Sequence, residues 1–121
     1  MKFLPGRHQI DGFGNGGFRF AEMSHRGSVL ILPSGMRAWD VADMSNFTAV
    51  EVSCFLAEQA DIDFVLLGTG RDMCMPPQRV MKAFAEAGLA VDFMATSAAV
   101  RTYNVLLAED RRVAAALIAV D

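Results

Sequence analysis

A chain of 121 residues, 53% of them apolar and 21% charged, fits one globular domain over residues 1–121 and can bury a core without disulfide or metal staples. Its formal charge of −3 argues against a nucleic-acid partner, because displacing counterions from a phosphate backbone needs a basic face. Met1 to His8 lacks the apolar stretch of a leader, and the longest apolar run, Val113 to Val120, falls far short of the ~20 residues of a membrane helix. A cytoplasmic protein with no membrane span, and at most a peripheral membrane contact, is the expectation.

In chain order, Gly12 to Gly17 satisfies G-x-G-x-x-G, but the alternating strand Phe18 to Ala21 follows where a dinucleotide fold needs a helix. A glycine-rich strand connection is the better account. Ser24-His25-Arg26-Gly27 supplies turn chemistry, Ser28 to Leu32 is a short apolar strand, and together they predict a hairpin with Phe18 to Ala21; Met36 to Trp39 adds another short strand. Thr48 to Glu51 is a capping box for a helix presenting Val52, Phe55, Leu56 and Gln59 on one face.

Asp63 to Leu67 is nearly continuous in apolar residues, as a strand covered on both faces is, and Gly68-Thr69-Gly70 stops it. Pro76-Pro77 opens a helix with a stripe of Val80, Ala83, Phe84 and Ala87 and a capping Gly88; Leu89 to Phe93 is a strand parallel to the preceding one. Thr96 or Ser97 caps a third helix, running to about Glu109, whose face carries Val100, Tyr103, Asn104 and Leu107. Val113 to Val120, apolar at both parities, is a central strand with small residues where helices press closely. The fold class is α/β: three layers, a mixed central β-sheet with packed helices and an N-terminal β-hairpin layer.

Cys54 and Cys74 lie too far from any CxxC pattern to suggest a disulfide framework or zinc. Met73-Cys74-Met75 clusters three soft sulfur atoms, but loop residues packing over the sheet explain them better than a Cu(I) site, and neither metal nor cofactor is expected. His8 and His25 stand near no nucleophile pattern, so no catalytic residue is assigned.

The candidate ligand site is Gly68, Thr69, Gly70 and Arg71 with Thr96, Ser97, Arg101, Tyr103 and Asn104. Gly68 to Arg71 ends a central parallel strand, where open α/β sheets form ligand crevices, yet a purely structural tight turn has the same sequence. Thr96-Ser97-Ala98 begins a helix whose free N–H groups favour an anion, with Arg71 or Arg101 adding charge. Equally, Thr96 or Ser97 can satisfy those groups itself while Arg101 pairs with Glu109 or Asp110. Tyr103 and Asn104 on an apolar helix face lock a core more often than they bind a ligand.

Taken together, Gly12-Phe13-Gly14, Gly17-Phe18, Trp39, Leu66 to Gly70, Met94, Thr96, Ala99, Arg101 to Asn104 and Glu109 with Arg111 or Arg112 resemble a domain-of-unknown-function family over almost the whole chain. That family includes the mitochondrial complex I assembly factor 3 and the adipogenesis-associated domain protein. Phe13 stands where the pattern has Tyr, and Ala95 where it has Asp, which removes a carboxylate beside Thr96. The resemblance implies a three-layer fold and a non-catalytic interaction domain, an assembly factor for a membrane-associated respiratory complex with complex subunits or other assembly factors as partners. The alternative is a small-molecule or anion-binding protein, or an enzyme, using the crevice near Gly68–Arg71 and Thr96–Arg101.

Overall fold

A computed structural model describes residues 4–121, so the reading of Met1 to His8 lies outside the described residues at positions 1–3. Along the chain run β1 (Leu4–Pro5), β2 (Gly12–Gly14), β3 (Gly17–Phe20), β4 (Met23–Arg26), β5 (Ser28–Leu32), β6 (Gly35–Trp39), α1 (Ala49–Leu56), β7 (Phe64–Gly68), α2 (Gln78–Glu86), β8 (Ala90–Met94), α3 (Thr96–Ala108) and β9 (Val113–Leu117). Six strands form one mixed sheet in the order β1-β6-β5-β9-β7-β8, and β2-β3-β4 form a separate antiparallel sheet.

The continuous apolar runs are strands covered on both faces, and their side chains divide by parity. Leu30, Leu32, Val65, Leu67, Ala114 and Ala116 face a core shared with Val52 and Phe55 of α1 and Val80 and Phe84 of α2. Val29, Ile31, Leu66, Ala115 and Leu117 face the opposite core, with Ala99, Val100 and Tyr103 of α3 and Phe18 and Phe20 of β3. Three layers result: two helices, the sheet, and α3 beside the small sheet. As expected from its alanines, β9 is central, antiparallel to β5 and parallel to β7, with every residue fully buried.

Local signals behave as their chemistry dictates at several points. Thr48 and Glu51 form the capping box of α1, the Glu51 carboxylate accepting the Thr48 N–H at 2.8 Å. Gly88 follows α2, and β7 and β8 pair in parallel. The glycine-rich start is a hairpin, with Asn15 and Gly16 at φ 52° and 78° turning β2 into β3. Gly17 is required by packing, since a Cβ there would strike the His25 carbonyl across the β3–β4 pair.

Two expectations are corrected. Ser24 to Arg26 is strand, belonging to β4, and β3 pairs with it rather than with Ser28 to Leu32, which pairs with β6 in the main sheet. The turn that reverses the chain is Ala21-Glu22, at φ 50° and 62°, a conformation that ordinary side chains rarely adopt and that no glycine advertises. The second concerns α3: Ala95 is its N-cap residue with no side-chain cap, because the Thr96 hydroxyl is drawn into the sheet.

One of the two outer strands, β8, carries Asp92 exposed at its centre, where the carboxylate accepts the Phe93 N–H at 2.9 Å. No helix among the described residues is long and apolar enough to cross a membrane.

Candidate functional site

At the carboxyl ends of β7 and β9, beside the start of β5 and the end of β6, the structure opens a cleft of ≈ 1090 Å³. Parallel strands place it there: helices cover both faces of the sheet, so the free volume lies where strands give way to loops. The hairpin turn closes one side, Gly16 N–H bonding the Val120 carbonyl at 2.8 Å and Gly27 N–H the Gly16 carbonyl at 2.7 Å.

Thr69, Gly70, Arg71 and Ser97 line this cleft, so four of the nine residues singled out from sequence meet there. Gly68 and Thr96 lie beneath. A Cβ on Gly68 would stand 2.9 Å from Leu117 Cδ2, 3.1 Å from Thr96 Oγ1 and 3.2 Å from Thr96 Cα, so a side chain there would press on the Thr96 hydroxyl and its backbone. The fully buried Thr96 hydroxyl accepts the Gly70 N–H at 3.0 Å and donates to the Ile118 carbonyl at 2.8 Å, while Thr96 N–H bonds the Gly70 carbonyl at 2.8 Å. One side chain thereby pins together the chain leaving β7, β8 and β9. Thr69 hangs the next loop: its hydroxyl accepts the Cys74 N–H at 3.1 Å and has the Asp72 carbonyl at 3.0 Å as an acceptor.

Arg101, Tyr103 and Asn104 are not in the cleft. Tyr103 is fully buried and donates to the His8 carbonyl at 2.9 Å, and burial, only partly offset by Arg7, raises its phenol well above the ordinary tyrosine range. Asn104 accepts the Ile10 N–H and donates to the Ile10 carbonyl, both at 2.8 Å. Together they moor the segment between β1 and β2. Arg101 is exposed and, among the described residues, without a hydrogen-bond or ion-pair partner. The alternative pairing of Arg101 with Glu109 or Asp110 is not formed among the described residues, because even the eight residues to Glu109 are about 12 Å along a helix. Among the described residues Arg112 pairs with Asp63 at 2.9 Å and holds the exposed Asp63 carboxyl below its usual range.

Sequence reasoning missed the opposite wall. Trp39 ends β6, with Asp40, Asp43 and Asp121 beside it in the lining, and Asp72 follows Arg71 on the first side, so the lining holds four aspartates and one arginine. Asp43 is held below the usual carboxylate range by the N–H and hydroxyl of Ser45, at 2.9 and 2.8 Å. Asp40 and Asp72 have no side-chain partner among the described residues. Their signal in the sequence is only proximity to strand ends, Asp40 directly after Trp39 and Asp72 within the loop after Gly68. Met73 and Met75 are also corrected: rather than packing over the sheet they stand 65% and 72% exposed. Among the described residues no group of three or more His, Cys, Asp or Glu side chains is placed to hold a metal ion.

Residues 10–118 match the model of a family described as protein of unknown function (DUF498/DUF598). An uncharacterized protein of Rhodobacter capsulatus is 35% identical over 95% of this chain and 87% of its own length. The mouse NADH dehydrogenase [ubiquinone] 1 alpha subcomplex assembly factor 3 is 30% identical over 95% of this chain, which spans 62% of that protein's length. The crystal structure of an outer membrane protein from Bartonella henselae superimposes with a TM-score of 0.91 at 49% identity, covering 98% of this chain and 99% of the other.

Proposed function

The chain belongs to the DUF498/DUF598 family, and from that premise we propose a non-catalytic interaction domain that contacts a protein partner during assembly of a membrane-associated complex, the respiratory NADH dehydrogenase being the first to test. The carrying observation is the exposure of Met73 and Met75 on a loop hung from Thr69 at the cleft. Thioether side chains are flexible and polarizable, so an exposed pair suits an adaptable contact with another protein surface. The likeness to the mouse assembly factor supports the choice of complex, with its subunits and other assembly factors as the partners to look for. Cytoplasmic placement, with at most a peripheral membrane contact, belongs to the same reading and is checked by fractionation.

Deleting the gene is expected to lower the assembled complex while subunit synthesis stays normal. Met73→Ser with Met75→Ser is expected to fold normally and lose co-purification of the partner. Normal levels of assembled complex in the deletion strain would overturn the reading. The position of the cleft at the carboxyl ends of parallel strands favours a second one, a small-molecule or anion-binding protein or an enzyme. Turnover of a defined substrate that depends on Arg71 or Ser97 would put it first.

A further inference from the structure

We propose that the cleft at the carboxyl ends of β7 and β9 is a docking groove for a basic peptide segment of the partner, its lysine or arginine side chains meeting Asp40, Asp43 and Asp72 while one of its oxygen atoms accepts from Trp39 Nε1. This rests on the interaction reading above and names the chemistry of the partner.

Two independent observations carry it. The first is charge: four aspartates and one arginine line the cleft, and Asp40 and Asp72 are exposed, with no side-chain partner among the described residues. Such a wall repels the anion that the helix N-terminus alone suggested and concentrates cations. The second is Trp39, which lies in the cleft wall at 4% exposure, its buried Nε1–H without a hydrogen-bond partner among the described residues. Buried donors are nearly always paired, so an unmatched one beside an open cleft marks where an acceptor is to be supplied. Its ring is held edge-on to Phe47 at a centroid distance of 5.1 Å, which fixes the donor's position.

The occupant's class follows from the combination. A polyamine supplies only cations. A peptide also supplies carbonyl oxygens for the indole and apolar side chains for Phe13, 41% exposed in the cleft lining, and for Met73 and Met75 on the adjoining loop.

Because Trp39 is the chain's single tryptophan, its emission reports on the groove directly. The purified full chain is titrated with a capped hexapeptide alternating lysine and leucine, with its glutamate–leucine counterpart, and with spermine. The lysine peptide is expected to shift Trp39 emission and to weaken as salt rises. Asp40→Asn with Asp72→Asn should lower its affinity at least about tenfold without changing the melting temperature. Trp39→Phe, followed by calorimetry, should also weaken it. Equal binding of the glutamate peptide, spermine binding as tightly as the lysine peptide, or no emission change with any of them would overturn the proposal. Loss of partner co-purification in the methionine variant but not in the aspartate variant would sink this inference and leave the interaction reading standing. Charge-dependent peptide binding with normal complex levels in the deletion strain would do the reverse.

Discussion

The core face of α3 and the cleft end of the sheet are both rich in polar side chains, and they treat them in opposite ways. Tyr103, Asn104 and Thr96 have every main hydrogen-bonding role filled by the chain itself. Asp40, Asp72 and the Trp39 N–H have none filled among the described residues. The difference separates polar groups that build the fold from polar groups left over for something else, and it takes Thr96, Tyr103 and Asn104 out of the candidate ligand set. Burial with internal partners makes a residue indispensable to folding and unavailable to a ligand.

The largest effect that sharpens this contrast is expected at Thr96. Thr96→Val keeps the shape but leaves the Gly70 N–H and the Ile118 carbonyl without their partner, at a cost of about 2–4 kcal/mol in denaturant unfolding. A cost below about 0.5 kcal/mol would show that this hydroxyl is not a structural pin.

Tyr103 comes next. Its folded phenol is raised above the ordinary value of 10.0 by burial, so the folded state favours the neutral form. The stability this gives is complete below pH 10 and is lost as pH rises above it toward the folded value. Unfolding midpoints should therefore fall above about pH 10 in the parent, and Tyr103→Phe should flatten that fall while costing about 1 kcal/mol near neutrality for the lost bond to His8. An unchanged alkaline profile in the variant would assign the fall to other groups. The smallest effect belongs to the other region: Asp40→Asn with Asp72→Asn should change unfolding free energy by no more than about 0.5 kcal/mol, since both carboxylates are exposed and neither has a side-chain partner among the described residues. A larger destabilisation would mean they belong to the fold, and the contrast would fail.

Legibility in the sequence follows the same division. Apolar periodicity and caps are local, so the helices after Thr48 and Pro77, the parallel pair β7 and β8, and the central position of β9 could be read directly. One side of the cleft was legible because Thr69 to Arg71 and Ser97 follow strands that a crossover makes neighbours. The other side was not: Trp39 and Asp40 reach it only because β6 lies beyond β5 in the sheet, and that order is fixed by long-range pairing with no local signature. The Ala21-Glu22 turn stayed hidden for a different reason, since two ordinary residues occupy backbone conformations that the sequence usually marks with Asn or Gly. Thr96 misled because a hydroxyl at a helix start normally caps the helix, whereas here the sheet outcompetes the helix for it.

Asp92 has a consequence for life in a crowded solution. A bare outer strand is a template on which another molecule's strand can grow the sheet by one, and repeated growth is the route to fibrils. With a charged side chain at the midpoint of β8, folded back onto the Phe93 N–H, an incoming strand must give up a hydrated carboxylate and break a bond already made before gaining its own. Association is thereby discouraged along the β8 edge of the sheet.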